Sequence, residues 1–189
     1  AWSLPLSFNN VLNNYSWFID KSHRPNDLSY KNVEFDSVNN SWKIDKTINQ
    51  LKVTSAGSND GKFASILFNS EERLPNTFFW GMVSAEIDSI TLEPTNIRYF
   101  AAPNTITQSA DSLIAYINSL PNGKLLALAI SDDAAQTVLG FSGGTPVRHA
   151  IETLGSLYID SVRYRESWCL LGVKGAAMGT VPESYTKLF

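Results

Sequence analysis

Charged residues are few in this sequence, so the places where they cluster carry information. Ser131-Asp132-Asp133 directly follows the run KLLALAI at 124–130. An unbroken apolar run of that length reads as a strand covered on both faces. Carboxylates at its C-terminal end emerge from an apolar wall into a crevice, a common place for ligands. One Asp capping a short helix over residues 134–139 is the competing reading. Both hold if the two carboxylates divide the roles. A second cluster is Arg163-Tyr164-Arg165-Glu166-Ser167-Trp168. As a strand, it puts Arg163 and Arg165 on one face. An Arg fork beside an aromatic ring grips hydroxyls and amides, and the ring stacks on the C–H face of a sugar. The plainer reading is a solvated strand edge with Trp168 in the core.

Other chemistry finds less support. Gly140-Phe141-Ser142-Gly143-Gly144-Thr145-Pro146 could cradle an anion on backbone N–H groups, but a flexible connection explains it better. It lacks the Lys-Ser/Thr of a P-loop and the spacing of a dinucleotide fingerprint. No G-x-S-x-G elbow or H-E-x-x-H motif is present. Asp132 and Glu166 could be drawn as a glycoside-hydrolysing carboxylate pair, at the expense of more assumptions than simple binding. His149 falls inside a helix and reads as a structural or surface residue. Cys169 lies in an apolar strand and reads as a small core residue.

The 189 residues carry a net charge of −3, are 17% charged and 43% hydrophobic, and include 22 Ser, 16 Asn and 22 aromatics. The surface must therefore hydrogen-bond and stack more than it attracts charge. Without a basic stripe, nucleic acid is not an expected partner. No apolar window reaches the length of a membrane span, so no membrane insertion is expected. One Cys and two distant His argue against a disulfide framework or a metal site, and no cofactor is implied. The chain starts at Ala1 without a basic and apolar leader, which suggests a lost signal or a piece of a longer protein.

These groups need elements to position them. Residues 1–47 read as a β-rich or irregular extension with turns at 24–27 and 38–41, its aromatics spent on packing. From residue 48 the pattern sharpens into a domain. Strands are expected at 51–54 and 62–69, joined by the hairpin turn Ser58-Asn59-Asp60-Gly61. Further strands are expected at 78–90 and 97–100, with a turn at Pro94-Thr95-Asn96. Ala110, Leu113, Ile114 and Ile117 form a helical stripe, capped by Thr107 or Ser109, with Asp111 near the positive end of its dipole and Pro121-Asn122-Gly123 at its close. A second helix opens at Thr145-Pro146 and closes at Gly155. Two last strands are expected at 161–165 and 167–173. This order makes an α+β domain with mixed or antiparallel sheets and two to three short helices.

Four short motifs then agree in order and spacing: Gly123-x7-Ser131-Asp132-Asp133, Leu154-Gly155-Ser156, Tyr164-Arg165-Glu166-Ser167-Trp168 and Gly172-Val173-Lys174-Gly175. Together they resemble the interleukin-like epithelial–mesenchymal transition inducer family, also called ILEI/PANDER. The resemblance is best over 98–183 and weaker back to residue 48, so the domains are expected at 1–47 and 48–189. It implies a compact β-β-α fold without catalysis. The family occurs in secreted cytokine-like proteins, in the stem of a glycosyltransferase, and in large cell-surface and phage proteins. Its sugar-binding members imply a shallow site here of Arg98, Asp132 and Arg165, with Tyr164 as a stacking ring and Trp168 as support.

Two departures stand out. Secreted animal members carry disulfides, which a single Cys cannot form within the chain, and Tyr164 stands where Phe or Trp is usual. The first favours a microbial or viral source. The expectation is a non-enzymatic carbohydrate-recognition module of a larger extracellular or virion protein, such as a phage tail or fibre component that binds a host glycan weakly and multivalently. The alternative is a structural or protein-interaction domain that keeps the fold without the sugar.

Overall fold

The protein is described from a computed structural model, which covers residues 8–10, 13–15, 33–36, 38, 41–44, 49–101 and 106–187. The chain divides into two units, Ala1–Asn49 and Gln50–Phe189. In the first, β1 (Phe8–Asn10) pairs antiparallel with β2 (Asn13–Tyr15), and β3 (Val33–Asp36) with β4 (Ser41–Ile44). The expected turn at 24–27 and four of the eight aromatic residues of this unit lie outside the described residues.

The second unit contains β5 (Leu51–Gly57), β6 (Phe63–Phe68), β7 (Glu71–Glu72), β8 (Gly81–Ile87), β9 (Pro94–Ala101), α1 (Ile106–Ser119), β10 (Leu125–Asp132), α2 (Pro146–Glu152), β11 (Ser167–Val173) and β12 (Glu183–Thr186). A π-helical turn at Ala135–Leu139 and a 3-10 turn at Ile159–Ser161 complete it. This is the expected α+β architecture.

The apolar run sits at the centre. β8 lies along one side of β10, antiparallel, and carries β9 on its outer edge. On the other side of β10 the sheet branches. β11 pairs antiparallel with residues 125–129, whereas β5 pairs parallel with Ser131 and Asp132. The Ser55 hydroxyl stitches the branch together. It donates to the Ile130 carbonyl at 2.7 Å and accepts the Trp168 amide at 3.0 Å. β6 and β7 extend the β5 branch, and β12 extends the β11 branch.

Alternation along β10 explains why the run is apolar throughout. Leu126, Leu128 and Ile130 join one core with Leu113 and Ile117 of α1 and Ile151 of α2. Ala127 and Ala129 point the other way and are equally buried. Each fully buried Leu or Ile contributes about 2 kcal/mol.

The structure corrects several expected boundaries. The strand expected at 78–90 is confined to 81–87. The amides of residues 78 and 79 go to the Asn76 side chain and the Ser131 hydroxyl, not to a ladder. At the other end the Asp88 carboxylate accepts the Ile90 and Thr91 amides and turns the chain. The turn therefore falls before Pro94, and Pro94-Thr95-Asn96 belongs to β9 beside a bulge at Ser84/Glu86. Helix α1 starts at Ile106, so Thr107 and Ser109 sit inside its first turn instead of capping it, and Asp111 lies beyond that turn.

No strand forms at 161–165. A 3-10 turn and a corner at Tyr164-Arg165 replace it, so Arg163 and Arg165 do not share a strand face. β12, absent from the sequence-based expectation, pairs along β11. The turn at 58–61, the Pro at the start of α2 and the positive φ of Gly155 are as expected.

Arg148 of α2 is fully buried although it has no carboxylate partner among the described residues. Its guanidinium donates to the carbonyls of Leu139 (3.4 Å), Gly140 (3.0 Å), Val162 (2.9 Å) and Ile159. Burial presses its pKa downward, and nearby Arg163 acts in the same direction. One side chain thus ties together the loops that leave the π-helical turn and the 3-10 turn. Arg148→Met keeps apolar volume but leaves those carbonyls without a donor. It should lower the unfolding free energy by about 3 kcal/mol or more, because each unsatisfied buried group costs roughly 1–3 kcal/mol. Urea denaturation of the purified variant checks this.

Candidate functional site

The C-terminal end of β10 gathers most of the candidate residues. Asp133 is almost fully buried. Its carboxylate accepts the amides of Ala135 (2.9 Å) and Gln136 (3.3 Å), capping the π-helical turn, and that of Arg165 (3.1 Å). Desolvation raises its pKa. The three N–H donors oppose that rise and the Asp132 charge adds to it. Asp133 is therefore the capping carboxylate, and its bond to residue 165 brings the 163–166 corner up to β10.

Asp132 is left for other work. It is half-buried, and among the described residues its carboxylate has no hydrogen-bond or ion-pair partner. Its backbone pairs with Gly57, where an added Cβ would collide with the Arg165 carbonyl oxygen. This close approach is why position 57 requires glycine. The Arg165 side chain is exposed, with its guanidinium 4.8 Å from the centre of the Tyr164 ring. Tyr164 in turn lies 6.0 Å from the ring of Phe141, on the glycine-rich loop. Asp132, Arg165 and Tyr164 thus meet at one end of the sheet.

Arg98 does not join them. It pairs with Ser84 on β9, and Ser84 pairs with Leu128. Arg98 therefore lies two strands across and four residues along from Asp132, roughly 16 Å by ordinary ladder spacings. Its guanidinium sits over the Tyr116 ring at 4.3 Å. The Tyr116 hydroxyl donates to Glu86, which also pairs with Lys124 at 2.7 Å. Burial, followed by the Glu86 charge, pushes that phenol up to about 12.

Every other residue of the Tyr164–Trp168 motif has a structural task. Glu166 is buried and accepts the Arg163 amide (2.7 Å) and the Tyr185 hydroxyl (2.6 Å), which occupies the carboxylate considered above for hydrolysis. The Ser167 hydroxyl accepts the Gly57 amide (2.8 Å) and donates to Asp60 (2.6 Å), fixing the tip of the β5–β6 hairpin. The Trp168 ring is fully buried and donates to Glu183 at 2.6 Å. Glu183 also accepts the Ser156 hydroxyl and the Leu157 amide (2.7 Å). The sequence analysis missed Glu183 and Arg148. A lone acid in an unexpected strand and a lone base in a helix carry no signal until their partners are known.

The glycine-rich loop cradles an anion of its own. The Gly144 amide donates to the Asp160 carboxylate, which also lies against Gly143. The site is thus taken by the protein itself. His149 is exposed, as expected. Cys169 is only partly exposed, and burial pushes its thiol up to about 11, far from a reactive thiolate. Among the described residues no cluster of His, Cys, Asp and Glu could hold a metal.

The fold and this end of the sheet define a mixed α+β domain with no assembled catalytic constellation among the described residues. The family model described as Interleukin-like EMT inducer matches residues 81–176, just over half of the chain. The chain belongs to this family, a cytokine-like, non-enzymatic domain family. No curated protein matches the sequence.

Asp132 and Arg165 share a further property. Both are non-glycine residues in the left-handed region, with φ of 61° and 64°. Such a conformation costs an L-residue roughly 1–2 kcal/mol and is enriched at functional sites. Arg165→Gly should therefore raise the midpoint of thermal unfolding by a few degrees, equivalent to about 1 kcal/mol, while removing the guanidinium. A melt at or below wild type would show that the side chain at 165 serves stability.

Proposed function

We propose that this domain is a carbohydrate-recognition module and that Asp132, Arg165 and Tyr164 form its site. The observation that carries this reading is the Asp132 carboxylate. It is held in left-handed backbone, lacks a protein partner among the described residues, and belongs to a residue whose partner Gly57 abuts the Arg165 backbone, where an exposed guanidinium lies over the Tyr164 ring. The carboxylate accepts sugar hydroxyls, the guanidinium donates to ring and hydroxyl oxygens, and Tyr164 offers its face to the C–H side of a pyranose. Arg98, committed to Tyr116 on another part of the sheet, is left out of this site.

A shallow site with so few polar groups binds weakly, with Kd on the order of mM, and needs several copies for useful avidity. The parent is read as an extracellular or virion protein, such as a phage tail or fibre component that attaches to host glycans. The single Cys supports assembly in a reducing compartment. No described helix is long and apolar enough to cross a membrane.

A second reading, a structural or protein-interaction domain, draws on Arg98. A residue expected to grip sugar instead lies over the Tyr116 ring, away from the other candidates, as it would in a member that keeps the scaffold alone.

Glycan-array binding by the purified chain separates the two. Asp132→Ala and Arg165→Ala should each reduce the signal at least tenfold, and Arg98→Ala should leave it unchanged. Binding that survives the double Asp132→Ala, Arg165→Ala variant would reject the assigned site, and an array without signal would favour the second reading.

A further inference from the structure

Among the described residues the exposed aromatics are Phe63, Phe78, Trp80, Phe141, Tyr158 and Tyr164. Five of these six, all but Tyr158, belong to segments that meet at the end of β10. Tyr164 and Phe141 stand on the Arg165 side. Phe78 and Trp80 stand on the β8 side, and Phe63 begins β6 on the β5 branch; both segments are tied to Ser131. The Ser131 hydroxyl accepts the Phe79 amide at 3.2 Å and donates to the Lys62 carbonyl at 3.3 Å. Gly81, the first residue of β8, pairs directly with Ser131, so Trp80 immediately precedes the last pair of that ladder, as Asp132 immediately follows it.

The side chains at 78–80 alternate. Phe79 turns inward, edge-on to Tyr99 with ring centres 4.9 Å apart, while Phe78 and Trp80 remain 58% and 48% exposed. Leaving these two rings in water forfeits burial that Phe79 obtains one residue away. Inward packing of Phe79 and the Ser131 bond hold the segment in place, so the exposure of its neighbours is built into the backbone.

We infer that Trp80, with Phe78 as its neighbour, forms a second stacking wall across Asp132 from Tyr164, and that the site takes an oligosaccharide of two or more rings instead of a single sugar. This inference rests on the carbohydrate reading above and extends it. Two aromatic stations flank the Asp132 carboxylate and the Arg165 guanidinium, and the residues of opposite charge Asp60 and Lys62 are tied to the same end through Ser167 and Ser131. That pattern suits a neutral, hydroxyl-rich chain, whose polar edges meet Asp132 and Arg165 while its ring faces meet the aromatics.

The test is an array of homologous mono- to hexasaccharide series of glucose, N-acetylglucosamine, galactose and mannose, probed with the wild-type chain and with Trp80→Ala, Trp80→Phe and Asp132→Ala. Wild-type binding should strengthen from one ring to three. Trp80→Ala should lose roughly tenfold on the longer members and little on the monosaccharide, and Trp80→Phe should recover part of that loss, as expected for a stacking contact of about 1.4 kcal/mol. Asp132→Ala should weaken every length. Binding of a trisaccharide should also shift tryptophan emission to the blue in the wild type but not in Trp80→Phe.

If wild type binds with no dependence on length, or Trp80→Ala matches wild type on every member, the second wall is refuted and the carbohydrate reading stands. If wild type binds none of the four series, both fall. Circular dichroism of each variant confirms that a loss is not unfolding.

Discussion

The buried guanidinium of Arg148 is the constraint on which the functional end of this domain depends. A cation without a carboxylate partner tolerates burial only where several acceptors surround it, and here four backbone carbonyls do so. Those carbonyls belong to two loops that are distant in sequence. One carries the glycine-rich connection with Phe141, and the other leads into the corner with Tyr164 and Arg165. Each loop leaves a single short helical turn, and no strand ladder continues it. The planar fork of one side chain holds both, which a lysine, as a point charge, could not.

A second hub lies on β12. Glu183 takes up the indole N–H of Trp168, the hydroxyl of Ser156 and the amide of Leu157. It thereby joins the Leu-Gly-Ser segment to the Tyr-Arg-Glu-Ser-Trp segment, two motifs that otherwise look independent. Between the hubs the labour is divided residue by residue. Asp133 caps and anchors, Glu166 holds Tyr185, Ser167 holds the hairpin tip, and Asp132 and Arg165 are left facing out. Because so much of the motif is committed to structure, matching it identifies the scaffold more firmly than it identifies a ligand.

Much of this was legible beforehand. The run at 125–130 announced a doubly covered strand because both of its faces are apolar, and the acidic pair at its end stood out because carboxylates have no place in such a wall. The hairpin at 58–61, the helical stripe at 110–117 and the Pro at the start of α2 follow from local backbone preferences that need no tertiary partner. Failures occurred where a side chain competes with the backbone. Asn76 and Asp88 cut β8 short at both ends by accepting amides that a longer strand would have used. Asp133 captured the Arg165 amide and converted an alternating stretch into a corner. Alternation reports which residues could share a face, but not whether the backbone stays extended.

By itself, then, the sequence determined the α+β class, the central strand, the scarcity of charge and the family. All of these are properties of pattern and composition. Tertiary structure decided which members of the expected site share one place. Asp132, Arg165 and Tyr164 meet because β5 comes close at Gly57 and Asp133 reaches residue 165, whereas Arg98 was carried two strands away and stacked on Tyr116. Likewise, only the fold brought Gly81, next to Trp80, into register with Ser131, next to Asp132, across fifty residues of chain. Contacts of that range depend on how the sheet closes, which no local run of residues encodes.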